Sequence, residues 1–168
     1  TRRELTAIGS MLPGDDPRRA AWAELLAVAS AANTANPSDY INGLRSELRR
    51  LTGSVTLVTP ETVTLSSRNG SIRLQLRNAE DSSLLVRVVV SSPKVTFSGQ
   101  PDVVELLPGS TTDVKISLRA RTNGRFPISV RVLTPVDRVQ VVPPAVVTAR
   151  VTAVAGLGQL VSVTLLLL

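Results

Sequence analysis

Hydrophobic positions recur along this chain with two different periods, and the change from one to the other divides it. Over residues 1–52 the spacing is helical. In RRELTAIGSML, Leu5, Ile8 and Leu12 share a face before Pro13-Gly14 ends the segment. In DDPRRAAWAELLAVASAA, Asp16 stands as the cap and Pro17 at the first helical position, where an amide N–H has no intrahelical partner to lose. Trp22, Leu25, Leu26 and Ala29 then form one apolar stripe. In NPSDYINGLRSELRRLTG, Asn36 or Ser38 serves as cap, Ile41, Leu44, Leu48 and Leu51 face inward, and Gly53 is the stop. Three amphipathic helices this short bury too little by themselves, so they are expected to cover a neighbouring domain or an upstream part of the protein.

At Gly53 the period becomes two and stays so for about a hundred residues. SIRLQLRN sets Ile72, Leu74 and Leu76 against Arg73, Gln75 and Arg77, and LLVRVVV places Leu84, Val86, Val88 and Val90 together. DVKISLRA, RFPISVRVL and AVVTARVTA continue the pattern with Val114, Ile116 and Leu118; with Phe126, Ile128, Val130 and Val132; and with Val147, Ala149, Val151 and Ala153. Alternation with β-branched residues is the mark of half-buried strands. Asn69-Gly70 and Asn123-Gly124 supply the positive φ of tight turns, and Pro108-Gly109 suits a type II turn. Strands are expected near 54–58, 61–66, 71–78, 84–91, 94–98, 103–107, 112–120, 126–134 and 145–154. Short strands at this interval predict an Ig-like two-sheet antiparallel sandwich over residues 53–155. The chain lacks a cysteine pair and the tryptophan of antibody domains, which places it in the looser Ig-like class.

The last thirteen residues, GLGQLVSVTLLLL, follow neither period, and from Val151 onward no side chain is charged. Twelve residues from Leu157 to Leu168 fall short of the roughly 20 that a membrane span needs. The preferred reading of 156–168 is the start of a transmembrane helix hinged at Gly156 and Gly158. Its anchor residues would be Leu157, Leu160, Val161, Val163, Leu165, Leu166, Leu167 and Leu168. An interior strand or helix, or a hydrophobic patch for another partner, are the other readings. The chain opens on Thr1 without an initiator Met or an apolar leader. It is therefore read as a piece of something longer, with residues 1–52 closing an upstream domain.

Composition narrows the chemistry. Hydrophobic residues make up 43% of the chain, enough for a core, while Trp22, Tyr40, Phe97 and Phe126 are its only aromatics, so that core is aliphatic. Cysteine and histidine are absent. That removes a thiolate nucleophile, a zinc finger, the usual general base and the commonest nitrogen ligand. The acid pairs Asp15-Asp16 and Glu80-Asp81 lack calcium-loop spacing and are read as a cap and a strand connection. No phosphate-cradling glycine motif is present, and Ser92-Pro93-Lys94 does not resemble a known Ser–Lys pair. Asn69-Gly70-Ser71 matches a glycosylation acceptor but is read as a turn. The expectation is a protein that is not an enzyme and takes no cofactor or metal.

The net charge is +6, and its excess falls after residue 52, where twelve bases meet seven acids. In Ig-like order the strands bearing Arg73 and Arg77 and those bearing Lys115, Arg119 and Arg121 are neighbours, so these five bases would share one outer face. Arg87, Arg131 and Arg150 would decorate the other sheet. The functional reading is contact with anionic headgroups or an acidic protein; the plain one is a solvated surface. Nucleic acid is not expected, because single strands are held by stacking on aromatics.

Three segments carry a family resemblance: VTLSSRNGSIRLQLRN, LLPGSTTDVKISLRARTNGRFPISVRVLTP and VTARVTAVAGLGQLVSV. A strand ending in Asn78, a Pro-Gly turn, an N-G-x-x-P hairpin and a Leu-Thr-Pro before a membrane helix resemble the C-terminal region of an uncharacterised family of exported, membrane-anchored actinobacterial proteins. Genes of that family lie beside the one for a MviN-type lipid II flippase. The resemblance implies a single-pass protein of the cell membrane with the sandwich on the extracytoplasmic side. It also implies an upstream domain and a protein partner, a lipid II flippase or another membrane protein, in peptidoglycan precursor export or cell-wall assembly. The expected function is a non-catalytic, membrane-proximal Ig-like module. The alternative is a carbohydrate-binding or adhesin-like accessory sandwich of a secreted enzyme.

Overall fold

A computed structural model describes residues 2–31 and 36–152. The expected membrane helix and its anchor residues therefore lie outside the described residues. Among the described residues three helices, α1 (Arg2–Gly9), α2 (Pro17–Ala29) and α3 (Pro37–Gly53), precede nine strands. These are β1 (Val55–Val58), β2 (Thr62–Leu65), β3 (Asn69–Asn78), β4 (Leu84–Ser91), β5 (Val95–Ser98), β6 (Val104–Leu106), β7 (Thr111–Ala120), β8 (Gly124–Leu133) and β9 (Ala145–Val151). Asp16 caps α2 as expected, its carboxylate accepting from the Arg18 amide at 2.9 Å. Asn36 is left-handed before α3 and makes no side-chain cap, and Ser38 lies inside that helix.

The strands form two sheets, ordered β1-β3-β7-β5 and β2-β9-β8-β4-β6. The apolar side chains that alternation sends inward on β3, β4, β7, β8 and β9 are buried, from Ile72, Leu74 and Leu76 to Val147, Ala149 and Val151, with Ala145 only partly so, while Ala153 lies outside the described residues. The two inner faces make one aliphatic core, as sandwich packing requires. One pairing departs from an all-antiparallel sandwich: β2 runs parallel to β9, with Thr62 opposite Thr148 and Leu65 opposite Val151. Pro60, which has no N–H for a ladder, separates β1 from β2, and the chain crosses there from one sheet to the other.

Asn69-Gly70 is not a turn. Both residues begin β3 and pair with Arg119 and Leu118 of β7. The bend falls just before them, where the Arg68 carbonyl accepts from the Ala120 amide at 2.7 Å. The glycine at 70 leaves room for a neighbour instead, since a Cβ there would sit 2.4 Å from Leu65 Cδ2 and that side chain would have to shift. Gly124 and Gly109 do take positive φ, +115° and +58°. The Asn123-Gly124 connection nevertheless joins strands of opposite sheets, so it is an arch rather than a hairpin.

What the helices cover is the sandwich itself. Ile8, Met11, Leu12, Trp22, Leu44, Leu48 and Leu51 belong to the same buried cluster as the strands. The Leu85 amide donates to the Met11 carbonyl at 2.6 Å, and the Val136 amide to Ser10 Oγ at 3.1 Å. Leu25 is left 37% exposed, so α2 turns only Trp22 and Ala29 of its stripe fully inward.

Candidate functional site

Outward-facing bases and one buried polar knot are the two concentrations of charged chemistry in the fold. On the first sheet, β3 and β7 are neighbours over nine paired positions. Arg73 lies directly opposite Lys115, Arg77 opposite Thr111, and Arg119 opposite Asn69. All are exposed, because alternation that buries Leu74, Leu76, Ile116 and Leu118 must turn their neighbours to solvent. At about 3.3 Å per residue, Arg77, the Arg73/Lys115 pair and Arg119 are strung along the sheet at intervals of about 13 Å. Arg121 follows β7 rather than lying on it, held by its amide donating to the Lys94 carbonyl at 2.9 Å. The expected face is thus four bases on the sheet and one on the adjoining turn. Asp113 shares that face and accepts from Gln75 Nε2 at 3.1 Å, which the alternation also required.

On the other sheet the expected bases separate. Arg87 is half-buried and ion-paired with Asp102, whereas Arg131 and Arg150 are exposed. Arg125, outside the set expected from sequence, stands opposite Arg150 in the β8–β9 ladder. Both sandwich phenylalanines point to the core, with Phe126 buried and Phe97 partly buried against it. A sugar platform built on exposed rings has no aromatic among the described sandwich residues to use.

The buried knot is centred on Glu80, which the sequence marks only as part of a strand connection. Glu80 is 7% exposed; its Oε1 accepts from Arg50 Nη1 at 2.8 Å and its Oε2 lies 3.3 Å from Arg18 Nη1. Arg18 also reaches Asp16 at 2.7 Å and Ser82 Oγ at 2.6 Å. The Arg18 guanidinium, hydrogen-bonded to Asp16, holds that carboxyl below the ordinary range against the opposing effect of burial. Beside it Asn78, fully buried, donates from Nδ2 to the carbonyls of Ser82 (2.8 Å), Leu106 (3.1 Å) and Leu107 (3.2 Å) and accepts from the Glu80 amide at 2.9 Å. The knot ties both long helices to the β3–β4 and β6–β7 connections. Its polar atoms are occupied by one another, so its role is structural. Only the third dimension brings Arg18, Arg50 and Glu80 together, and no spacing in the chain announces it.

Among the described residues no group of three or more His, Cys, Asp or Glu side chains is placed to hold a metal ion, and no helix is long and apolar enough to cross a membrane.

Several solved structures are similar to this chain. WR4, a C. elegans MSP family member, is 12% identical over 59% of this chain and 98% of its own, with a TM-score of 0.40. A FixG-related protein from Vibrio parahaemolyticus is 13% identical over 59% and 94%, at a TM-score of 0.41. The seventh PapD-like domain of human CEP192 is 13% identical over 61% and 87%, at 0.43. No curated protein sequence matches the chain. Residues 5–160 do match one family, described as a family of unknown function, DUF6049, and with nearly the whole chain inside that match the protein belongs to it.

Proposed function

We propose that this chain is a non-catalytic, membrane-proximal module of a cell-envelope protein, which works by binding a partner at its basic sheet face. The observation that carries the reading is the cross-strand pair of Arg73 and Lys115. Like charges directly opposite each other destabilise a sheet, and among the described residues neither base has an ion-pair partner to offset that. Bases that the fold does not use are available to an acidic surface. A stripe of cations about 26 Å long steers an anionic partner and fixes its register more than it adds raw affinity.

The membrane side of the proposal rests on the uncharged run from Leu157 to Leu168 and on the family resemblance of its flanking motifs. On that basis the sandwich sits outside the cytoplasmic membrane, beside a membrane-protein partner in cell-wall precursor export. The test is photo-crosslinking from Ser117, an exposed position between Lys115 and Arg119, in the full-length protein in its own membranes. An adduct that disappears when Arg73, Arg77 and Lys115 are all changed to Glu, in a protein of unchanged stability, supports the reading. An adduct unaffected by the reversal shows the stripe to be solvated surface.

A further inference from the structure

A second basic surface exists that no single strand carries, at the end of the sandwich remote from the helices. Three connections, β2–β3, β4–β5 and β7–β8, meet there with the end of β9. The Arg68 carbonyl accepts from Ala120, the Lys94 carbonyl accepts from Arg121, and the Leu65 carbonyl accepts from the Thr152 amide at 3.0 Å. Arg125 and Arg150 face each other one position from the start of β8, where Gly124 pairs with Val151. With Arg119, six bases therefore ring this end: Arg68, Lys94, Arg119, Arg121, Arg125 and Arg150. All six are exposed, and among the described residues none has an ion-pair partner.

Acids are distributed the other way. Asp113 is level with Gln75, Asp102 is paired with Arg87, Glu80 lies under the helices, and the Glu61 carbonyl meets the Thr148 amide short of the end. The sandwich is charge-polarised along its strands. A cost follows from crowding cations around one rim, and Arg125 opposite Arg150 is the plainest instance. The same rim is where the chain passes from Thr152 into sixteen residues without a charged side chain.

We infer that this end is a seat for an anionic lipid surface, with the six bases meeting headgroup phosphates around the point where the apolar segment leaves. The bases come from both sheets and surround that point, which suits a plane; a peptide or a single phosphate would be met from one side. Clustered bases beside an apolar segment are a recurrent route to negative leaflets, each contributing roughly fivefold in partitioning and losing it as salt rises. The inference deepens the membrane-proximal reading and rests on it for the direction in which the sandwich hangs.

The absence of cysteine allows a single spin label at Thr122→Cys on the rim and, separately, at Glu105→Cys toward the helices. The full 168-residue chain is mixed with phosphatidylcholine vesicles, with or without phosphatidylglycerol, and read by flotation and by accessibility of the label to a water-soluble relaxant. The expected result is protection at 122, not at 105, with anionic vesicles at low salt. Protection is lost in Arg68→Glu/Arg121→Glu/Arg125→Glu/Arg150→Glu, with at least about a hundredfold weaker anionic preference, and kept in Arg73→Glu/Arg77→Glu/Lys115→Glu. Matched circular dichroism and melting of both variants exclude unfolding.

Equal exposure at 122 in both vesicle types overturns the seat, while flotation with neutral vesicles would still uphold an anchor. Flotation only with anionic vesicles, abolished by the rim variant, upholds the seat and removes the anchor. Protection by polyglutamate but not by anionic vesicles overturns the seat in favour of an acidic protein.

Discussion

The Glu80 carboxylate accepts from Arg50 of α3 at 2.8 Å and lies 3.3 Å from Arg18 of α2, so one side chain on a strand connection holds both long helices. Arg18 is 24% and Arg50 55% exposed, whereas Glu80 is 7% exposed. The acid is thus the buried member, and the guanidinium groups keep access to water when it is removed. Glu80→Ala is expected to lower stability by about 2 kcal/mol, below the loss for a wholly buried pair because both arginines can rehydrate. Urea denaturation measures the loss. Hydrogen exchange should show α2 and α3 opening before the strands, and an unchanged order of opening would deny Glu80 its tethering role.

Asn78 satisfies three carbonyls and one amide from a fully buried position at the end of β3. Asn78→Leu keeps roughly the volume and takes this partner from the Glu80 amide and from the Ser82 and Leu106 carbonyls, while the Leu107 carbonyl still accepts from Ser110 Oγ at 2.9 Å. A loss of about 3 kcal/mol is expected, since each orphaned buried polar group costs on the order of 1–3 kcal/mol. Thermal melting compared with Asn78→Asp, which retains the acceptor for the Glu80 amide, separates the carbonyl contacts from the amide contact.

Gly70 and Leu65 form a coupled pair. Adding a Cβ at 70 would place it 2.4 Å from Leu65 Cδ2, the mobile end of a leucine that must then rotate within a packed site. Gly70→Ala should cost about 1–2 kcal/mol. In a Leu65→Ala background the same change should be neutral or slightly stabilising, because alanine loses less backbone entropy than glycine in a strand. A double-mutant cycle in denaturant tests this, and additive effects would refute the contact.

Asp16 makes the fold sensitive to acid. Its folded-state carboxyl is held low, first by the side-chain hydrogen bond from Arg18 and, with a smaller effect, by the Arg18 amide. The unfolded carboxyl titrates near 4, so the stability Asp16 contributes is complete above about pH 4 and is lost as pH falls through the lowered folded value. Asp16→Asn preserves a capping oxygen but cannot be charged. The gap in stability between the natural protein and this variant should be constant from pH 7 to about pH 5 and close below about pH 4. A gap that widened in acid would reverse the sign of the argument.

Much of the architecture was legible in the chain. Alternation and the turn signals between segments located the nine strands of the described residues within a few positions, and alternation assigned the buried face of each long strand correctly, because a period of two leaves no freedom about which side a residue faces. Asp16-Pro17 marked the start of α2 because capping is a local bond between neighbours. Misreadings arose where partners are remote. Asn69-Gly70 has the composition of a turn, but Leu65 and β7 determine its conformation. β2 joins β9 in parallel, a pairing between segments more than eighty residues apart that no local preference encodes.

The candidate surfaces divide along the same line. Arg73, Arg77, Lys115 and Arg119 could be placed on one face from sequence because each sits in a regular strand whose inner residues are unmistakable. The rim could not, since Arg68, Lys94, Arg121, Arg125 and Arg150 belong to separate connections and strand ends brought together only by closure of the two sheets. The chain by itself determined where it would be extended, where helical, and which atoms would leave water, because those follow from short-range sterics and the spacing of apolar groups. Tertiary structure alone decided which polar groups would meet, placing Glu80 between two arginines and gathering six cations at one end. Electrostatic contacts depend on distance in space, and folding sets that distance independently of separation along the chain.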